Sequence, residues 1–233
     1  MAETSSTTGG LDSLLQPTGP LKAAQQKLAR ASGSKRSYFV TNGTSTANKI
    51  VMQALTRPDD IVLVSHDCHK SHHYALVPAG ANPVCMDAYP LTEYSISGGV
   101  PLRAIKRELF RLKQAGKLDR VRMLLLTNCT FDGIVYHPER VMREVLEIKP
   151  DIVFLWDEAW YAFAGFSPTY RRRTGMHAAQ TLRTMLASPG YRERYQAWKQ
   201  EFDQLDRNDE ATYVDNELLP DPDAARVRVY VTQ

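Results

Sequence analysis

Three stretches of the chain hold side chains whose types and spacing suit chemistry. The first is Thr41-Asn42-Gly43-Thr44-Ser45, a glycine followed by two hydroxyl residues. If a helix begins here, its first backbone N–H groups lack intrahelical partners, and with the helix dipole they favour a phosphate or carboxylate. The Thr44 and Ser45 hydroxyls add donors. The same residues also suit an ordinary turn with Ser/Thr capping, and the GxxxxGK spacing of a Walker loop is absent. The second stretch, Ser65–His73, crowds together His66, Cys68, His69, His72 and His73. Zinc takes such ligands, but adjacent positions point in different directions and the sequence has no second ligand cluster. A polar junction holding one functional histidine is the preferred reading. The third is Asp157, which closes the apolar run Asp151–Trp156. A carboxylate there is partly desolvated and needs a positive partner. That partner is either a structural arginine or a cationic nitrogen on a ligand.

An alternation of strands and helices must position these residues. A first helix runs from Pro20 along the Leu21, Ala24, Leu28 and Ala31 face to a stop at Gly33. Ser37–Thr41, Ile61–Ser65, Pro83–Met86, Val121–Thr127 and Asp151–Trp156 read as strands. Between them, Ser45–Leu55, Lys70–Leu76, Pro101–Ala115 and Pro138–Ile148 read as helices, the third carrying Leu102, Ile105, Leu109 and Leu112 on one stripe. Continuous apolar strands alternating with helices call for a parallel sheet covered on both faces, with right-handed crossovers. In such sheets ligands bind beyond the carboxyl ends of the strands. Those ends offer an anion site, an imidazole, the polar turn Thr127–Gly133 and a buried carboxylate. Pyridoxal 5′-phosphate requires a similar set: a phosphate cradle, a flat group against its ring, and an acid on its pyridine nitrogen.

The bulk composition fits one substantial soluble domain. The chain has 233 residues, 43% hydrophobic and 24% charged, with 29 basic and 26 acidic side chains giving a net charge of +3. That balance argues against nucleic acid or an anionic membrane as a partner, and Arg171–Arg173, the tightest basic run, reads as a solvated face. Three cysteines without a CxxC pair suit a reducing cytoplasm. The N-terminus has no basic and apolar leader pattern, and no apolar run approaches membrane-spanning length. Residues 1–10 read as a polar tail and 11–233 as one domain, in which the charged stretch 180–225 is a variable insertion without evident chemistry. Within it 191–206 reads as a helix and 218–223 as a loop. Val227, Val229 and Val231 then alternate with polar neighbours as a last strand.

TNGTSTANK (Thr41–Lys49), DCHKS (Asp67–Ser71), TNCTFDG (Thr127–Gly133) and DEAW (Asp157–Trp160), in that order, resemble the major-domain signatures of the Orn/Lys/Arg decarboxylases, a fold-type I family dependent on pyridoxal phosphate. Leu11–Gln25 resembles the run that precedes the first of them. The resemblance implies an α/β, aspartate-aminotransferase-like large domain, a mostly parallel sheet with helices on both faces. It implies that Thr44 and Ser45 bind the cofactor phosphate and that Asp157 pairs with the pyridinium nitrogen, with Ala159 and Trp160 lining the pocket. By the same resemblance His69, the catalytic candidate, stacks on the ring and assists proton transfer or orients the substrate carboxylate, and Asn128 and Thr130 approach the cofactor. A basic amino acid as substrate and a homodimer or higher homo-oligomer are implied as well.

The sequence departs from the family in one respect above all. The family continues from Thr-Gln into a Ser-x-His-Lys motif whose lysine forms the Schiff base, whereas Thr232-Gln233 closes this sequence, and Lys49 and Lys70 belong to other motifs. The expectation is therefore a fragment incomplete at its C-terminus, inactive alone. Its alternatives are an aminotransferase-like fold-type I enzyme, or a non-catalytic or split-half subunit that needs a complementing C-terminal chain.

Overall fold

The computed structural model describes residues 10–233, which divide into two compact units, one ending at Asn42 and the other starting at Gly43. The expected tail over 1–10 lies outside the described residues except for Gly10. In the first unit, helix α1 (Pro20–Ser32) has Pro20 at its first turn and ends at Gly33, whose φ of 71° is the left-handed value a side chain would resist. The Asp12 carboxylate takes the place of a capping residue. Its Oδ1 accepts the Thr18 N–H at 2.8 Å, and its Oδ2 accepts those of Gly19 at 2.8 Å and Leu21 at 2.9 Å. The strand expected over 37–41 does not form. Those residues enter no ladder, and Thr41 lies in a turn, because β-branched and aromatic composition makes a strand only where another strand accepts its hydrogen bonds.

The second unit is built on a five-stranded sheet. Helix α2 spans Gly43–Leu55, followed by β1 (Ile61–Ser65), α3 (Lys70–Ala79) and β2 (Asn82–Met86). A small antiparallel pair, β3 (Pro90–Leu91) and β4 (Ile96–Ser97), leads to α4 (Leu102–Gln114). Then come β5 (Val121–Thr127), α5 (Pro138–Ile148), β6 (Val153–Asp157), α6 (Gly175–Ala187), α7 (Pro189–Phe202), α8 (Glu210–Val214) and β7 (Arg228–Thr232). The sheet order is β2-β1-β5-β6-β7 with every neighbour pair parallel. The expected α/β architecture is therefore the one observed.

The period of two along each strand divides the core into two layers. Val62, Val64, Met123, Leu125, Val153 and Leu155 face Met52 of α2 and Ala75, Leu76 and Ala79 of α3. Leu63, Leu124, Leu126, Phe154 and Trp156 face the opposite layer, built by α4 to α7. Fully burying a side chain as large as Phe154 contributes about 1.5–3 kcal/mol. The parity also aims the site: Asp157 follows Val153 and Leu155 and so points to the α2/α3 side.

The stretch 180–225 is less of an appendage than its charge suggests. Leu182, Leu186, Tyr191, Tyr195, Phe202, Tyr213, Leu218 and Leu219 all enter the main core cluster. Tyr195, Trp198 and Phe202 stack along α7 with ring centroids 5.9 and 4.5 Å apart. At the start of α6, a Cβ added to Gly175 would lie 2.6 Å from the Trp156 ring, so only glycine lets this helix approach the strand so closely. Among the described residues no helix is long and apolar enough to cross a membrane.

Candidate active site

Asp157 ends β6 opposite Thr127 of β5 and Thr232 of β7. Its side chain is 4% exposed. Oδ2 accepts from Asn48 Nδ2 at 3.0 Å, and Oδ1 accepts the Ala159 N–H at 3.1 Å. His72 Nε2 lies 2.8 Å from Oδ2, with the imidazole wholly buried. The contact is close, but the ring N–H is poorly aligned with the oxygen, so it is electrostatic before it is a hydrogen bond. Burial pushes the Asp157 carboxyl upward, yet His72, the Ala159 amide and Asn48 outweigh burial and hold it below its ordinary value. An ionised carboxylate offers about four acceptor positions, and these three contacts leave one over.

Asn48 ties the network to three elements. Its Oδ1 accepts the Thr232 hydroxyl at 2.6 Å, and its Nδ2 also reaches Ser71 Oγ at 3.1 Å. Ser71 Oγ in turn lies 2.8 Å from Nδ1 of His69, which caps α3 by accepting the Ser71 N–H. A chain of polar contacts thus runs from exposed His69 through Ser71 and Asn48 to buried Asp157. Thr44 and Ser45 occupy the first turn of α2. They stand one turn before Asn48, roughly 6 Å along the axis from Thr44 at 1.5 Å per residue. Gly43 has φ 70° and open space where a side chain would project, so no neighbouring side chain crowds the start of α2 at that point. Ala159 is exposed beside Asp157, and Trp160, 58% exposed, packs on Phe131 with ring centroids 4.9 Å apart.

The neighbouring carboxylate does a different job. Glu158 Oε1 accepts the Gly175 N–H that opens α6 and Asn128 Nδ2, each at 2.7 Å. Burial lifts its carboxyl above the ordinary value despite these donors. Asn128 also donates to the Arg173 carbonyl at 2.8 Å and accepts from the Tyr136 N–H at 3.2 Å. Its donors are committed to the protein, and Thr130 Oγ1 accepts the Ile134 N–H. Both therefore brace the loop after β5, where Cys129 holds a left-handed φ of 82°.

The four histidines of the second stretch go to four partners: His66 to Asp87, His69 to Ser71, His72 to Asp157 and His73 to Cys68. Among the described residues no three His, Cys, Asp or Glu side chains converge as metal ligands. Asn48 carries no signal in the sequence, and His72 stands there only as one of a crowd of histidines. A signal for His72 was present, because it falls with Ala75, Leu76 and Ala79 on the buried stripe of α3.

Residues 2–189 match the family model described as Orn/Lys/Arg decarboxylase, major domain. Lysine decarboxylase LdcA of Pseudomonas aeruginosa is 36% identical over 177 residues, covering 73% of this chain and 23% of that protein. The biodegradative arginine decarboxylase of Escherichia coli is 34% identical over 169 residues, covering 69% of this chain and 22% of that protein. The structure of the E. coli constitutive lysine decarboxylase superposes with a TM-score of 0.63 at 32% identity, covering 74% of this chain and 24% of that one. The chain thus spans about a quarter of the length of these relatives. A parallel sheet with an anion-ready helix start, an imidazole and a buried carboxylate at its carboxyl edge agrees with these matches, and the chain belongs to the Orn/Lys/Arg decarboxylase family through its major domain.

Proposed function

We propose that this chain forms the pyridoxal 5′-phosphate cradle of a decarboxylase acting on a basic amino acid: lysine, ornithine or arginine. Asp157 carries this reading, as a buried strand-end carboxylate held in its charged form with one acceptor position to spare. The open first turn of α2 with Thr44 and Ser45 suits the cofactor phosphate. His69 suits the ring face, Asp157 the protonated ring nitrogen, and Ala159 and Trp160 the adjoining wall. When bound, the cofactor supplies an electron sink for the pair released as CO₂ leaves the substrate. The chain's own part is positional. Its amides and hydroxyls fix the phosphate, Asp157 keeps a proton on the ring nitrogen, and the Phe131–Trp160 pair keeps water from one side.

Lys49 lies in the second turn of α2 and Lys70 opens α3, neither at the family's covalent position. On this reading these 233 residues hold the cofactor through its phosphate and ring, without a covalent bond from Lys49 or Lys70. Titration of the purified chain with pyridoxal phosphate, followed by absorbance and equilibrium dialysis, tests this. Saturable binding weakened by Asp157→Ala is expected, with no lysine adduct after borohydride. No saturable binding, or a borohydride-fixed lysine, overturns it. With a complementing chain added, release of an amine rather than a keto acid separates decarboxylation from transamination.

A further inference from the structure

His69 is the histidine that the sequence motif draws attention to, but it is exposed and its Nδ1 is occupied by Ser71. His72, three residues on, is wholly buried, and its Nε2 is the nearest ring nitrogen to Asp157. Its Nδ1 meets no hydrogen-bonding partner among the described residues. Burying an imidazole costs free energy unless its polar atoms are used, and an apolar residue would fit the stripe of Ala75, Leu76 and Ala79 without that cost. What His72 does touch is the carboxylate on which the cofactor reading rests.

We infer that His72 is a positioning residue which, from behind Asp157, keeps that carboxylate charged and turned toward the protonated ring nitrogen of a bound pyridine cofactor. The inference rests on the proposed function for the identity of that ligand, but not for the effect of His72 on Asp157. Asn48, itself locked by Thr232 and Ser71, blocks the carboxylate from swinging the other way. Two further titratable groups interact with Asp157, Glu158 and the Cys68 thiol, each shifted upward by burial, the thiol to about 12. Neither supplies a positive charge. His72 is accordingly the nearest cation or N–H ring donor that can offset the burial of Asp157, and the ligand nitrogen completes the neutralisation from the open side.

Two readouts on the 233-residue chain test this. One is the Asp157 carboxyl titration followed by ¹³C NMR without ligand. The other is the ¹⁵N shift of ring-labelled pyridoxal phosphate bound at pH 8. His72→Leu is expected to raise the Asp157 midpoint by roughly 1–3 units, the span an opposing charge or donor commands, and to leave the bound ring nitrogen unprotonated. His72→Gln, which retains an N–H at similar reach, should restore most of both signals. An unchanged midpoint and ring signal in His72→Leu overturns the inference. If that variant does not fold, His72→Asn against His72→Gln decides, because the shorter amide falls short of Oδ2, and equal midpoints overturn the inference. If the wild-type chain does not bind the cofactor at all, the proposed function fails, while the ligand-free titration still judges His72.

Discussion

Two buried charge clusters in the second unit resemble each other until their partners are counted. In the helical layer, Glu144 is wholly buried. Lys106 Nζ reaches its Oε2 at 2.7 Å and Arg140 Nε its Oε1 at 2.8 Å, while the Lys106 ammonium also donates to the Asn216 carbonyl at 2.9 Å. Both oxygens face cations, so the charge of Glu144 is neutralised within the protein. At the carboxyl edge of the sheet, Asp157 is buried to a similar degree, but its partners are an amide side chain, a backbone N–H and a poorly aligned imidazole. Burial alone therefore does not mark a functional acid. A buried acid whose partners do not finish neutralising it, at a strand end, does.

That contrast is broken most directly by removing a cation from the closed cluster. Lys106→Met leaves Glu144 buried with only the half-exposed Arg140 opposite. Breaking such a pair costs about 3–5 kcal/mol, read as a lowered urea midpoint. Cofactor affinity per folded molecule should stay the same. A neutral Lys106→Met would remove the distinction between the clusters.

Asp157→Asn should reverse the pattern. The shape and most hydrogen bonds survive, so stability changes less than in Lys106→Met. A charge-assisted hydrogen bond worth about 1.5–3 kcal/mol is lost to the ligand, which is about 10- to 150-fold in pyridoxal phosphate affinity by dialysis.

pH sharpens the comparison through signs. Glu147, on α5 beside the closed cluster, is pushed up to about 7 by burial, against the pull of Arg207. A carboxyl raised in the folded state contributes stability below its unfolded value near 4.5, and that contribution is lost as pH rises toward 7. Glu147→Gln should therefore gain on the order of 1–3 kcal/mol over the wild type at pH 8, at 1.36 kcal/mol per unit, and nothing at pH 4. Asp157 runs the other way. Its carboxyl is lowered, so its contribution is present above 3.8 and lost as pH falls through the folded value. Urea unfolding checks the opposite signs, with Glu147→Gln compared at pH 8 and pH 4 and Asp157→Asn at pH 8 and well below pH 3.8.

The elements around both clusters were largely legible. Val121–Thr127 and Pro138–Ile148 form as the sequence pattern marks them, because continuous apolar runs and a proline at the first helical turn are local signals. Residues 37–41 have strand composition but lack a ladder, and a ladder is not a local property. The site divides in the same manner. Asp157 could be found because it interrupts its own apolar strand, whereas Asn48 meets it from 109 residues away and Thr232 meets Asn48 from 184. His72 lies between these cases: its place on a buried stripe is visible in sequence, but what it faces is not. The aromatic ladder of α7 was obscured by the charges between its rungs.

The smallest expected effect concerns the phosphate end of the site. Ser45 sits in the first turn of α2, where on the proposed reading backbone N–H groups and the helix dipole supply most of the attraction for the phosphate. Its hydroxyl adds one donor on a surface that stays partly wet, and a single such bond is worth about 0.5–1.5 kcal/mol. Ser45→Ala should therefore weaken pyridoxal phosphate about 2- to 13-fold and leave binding of phosphate-free pyridoxal unchanged, both measured by dialysis. Asp157→Asn should instead weaken the two ligands by the same factor, because its contact is to the ring. If Ser45→Ala also weakened pyridoxal, the first turn of α2 would be shaping the ring site rather than holding the phosphate. The two ends of the site would then not be separable in the way the two charge clusters are.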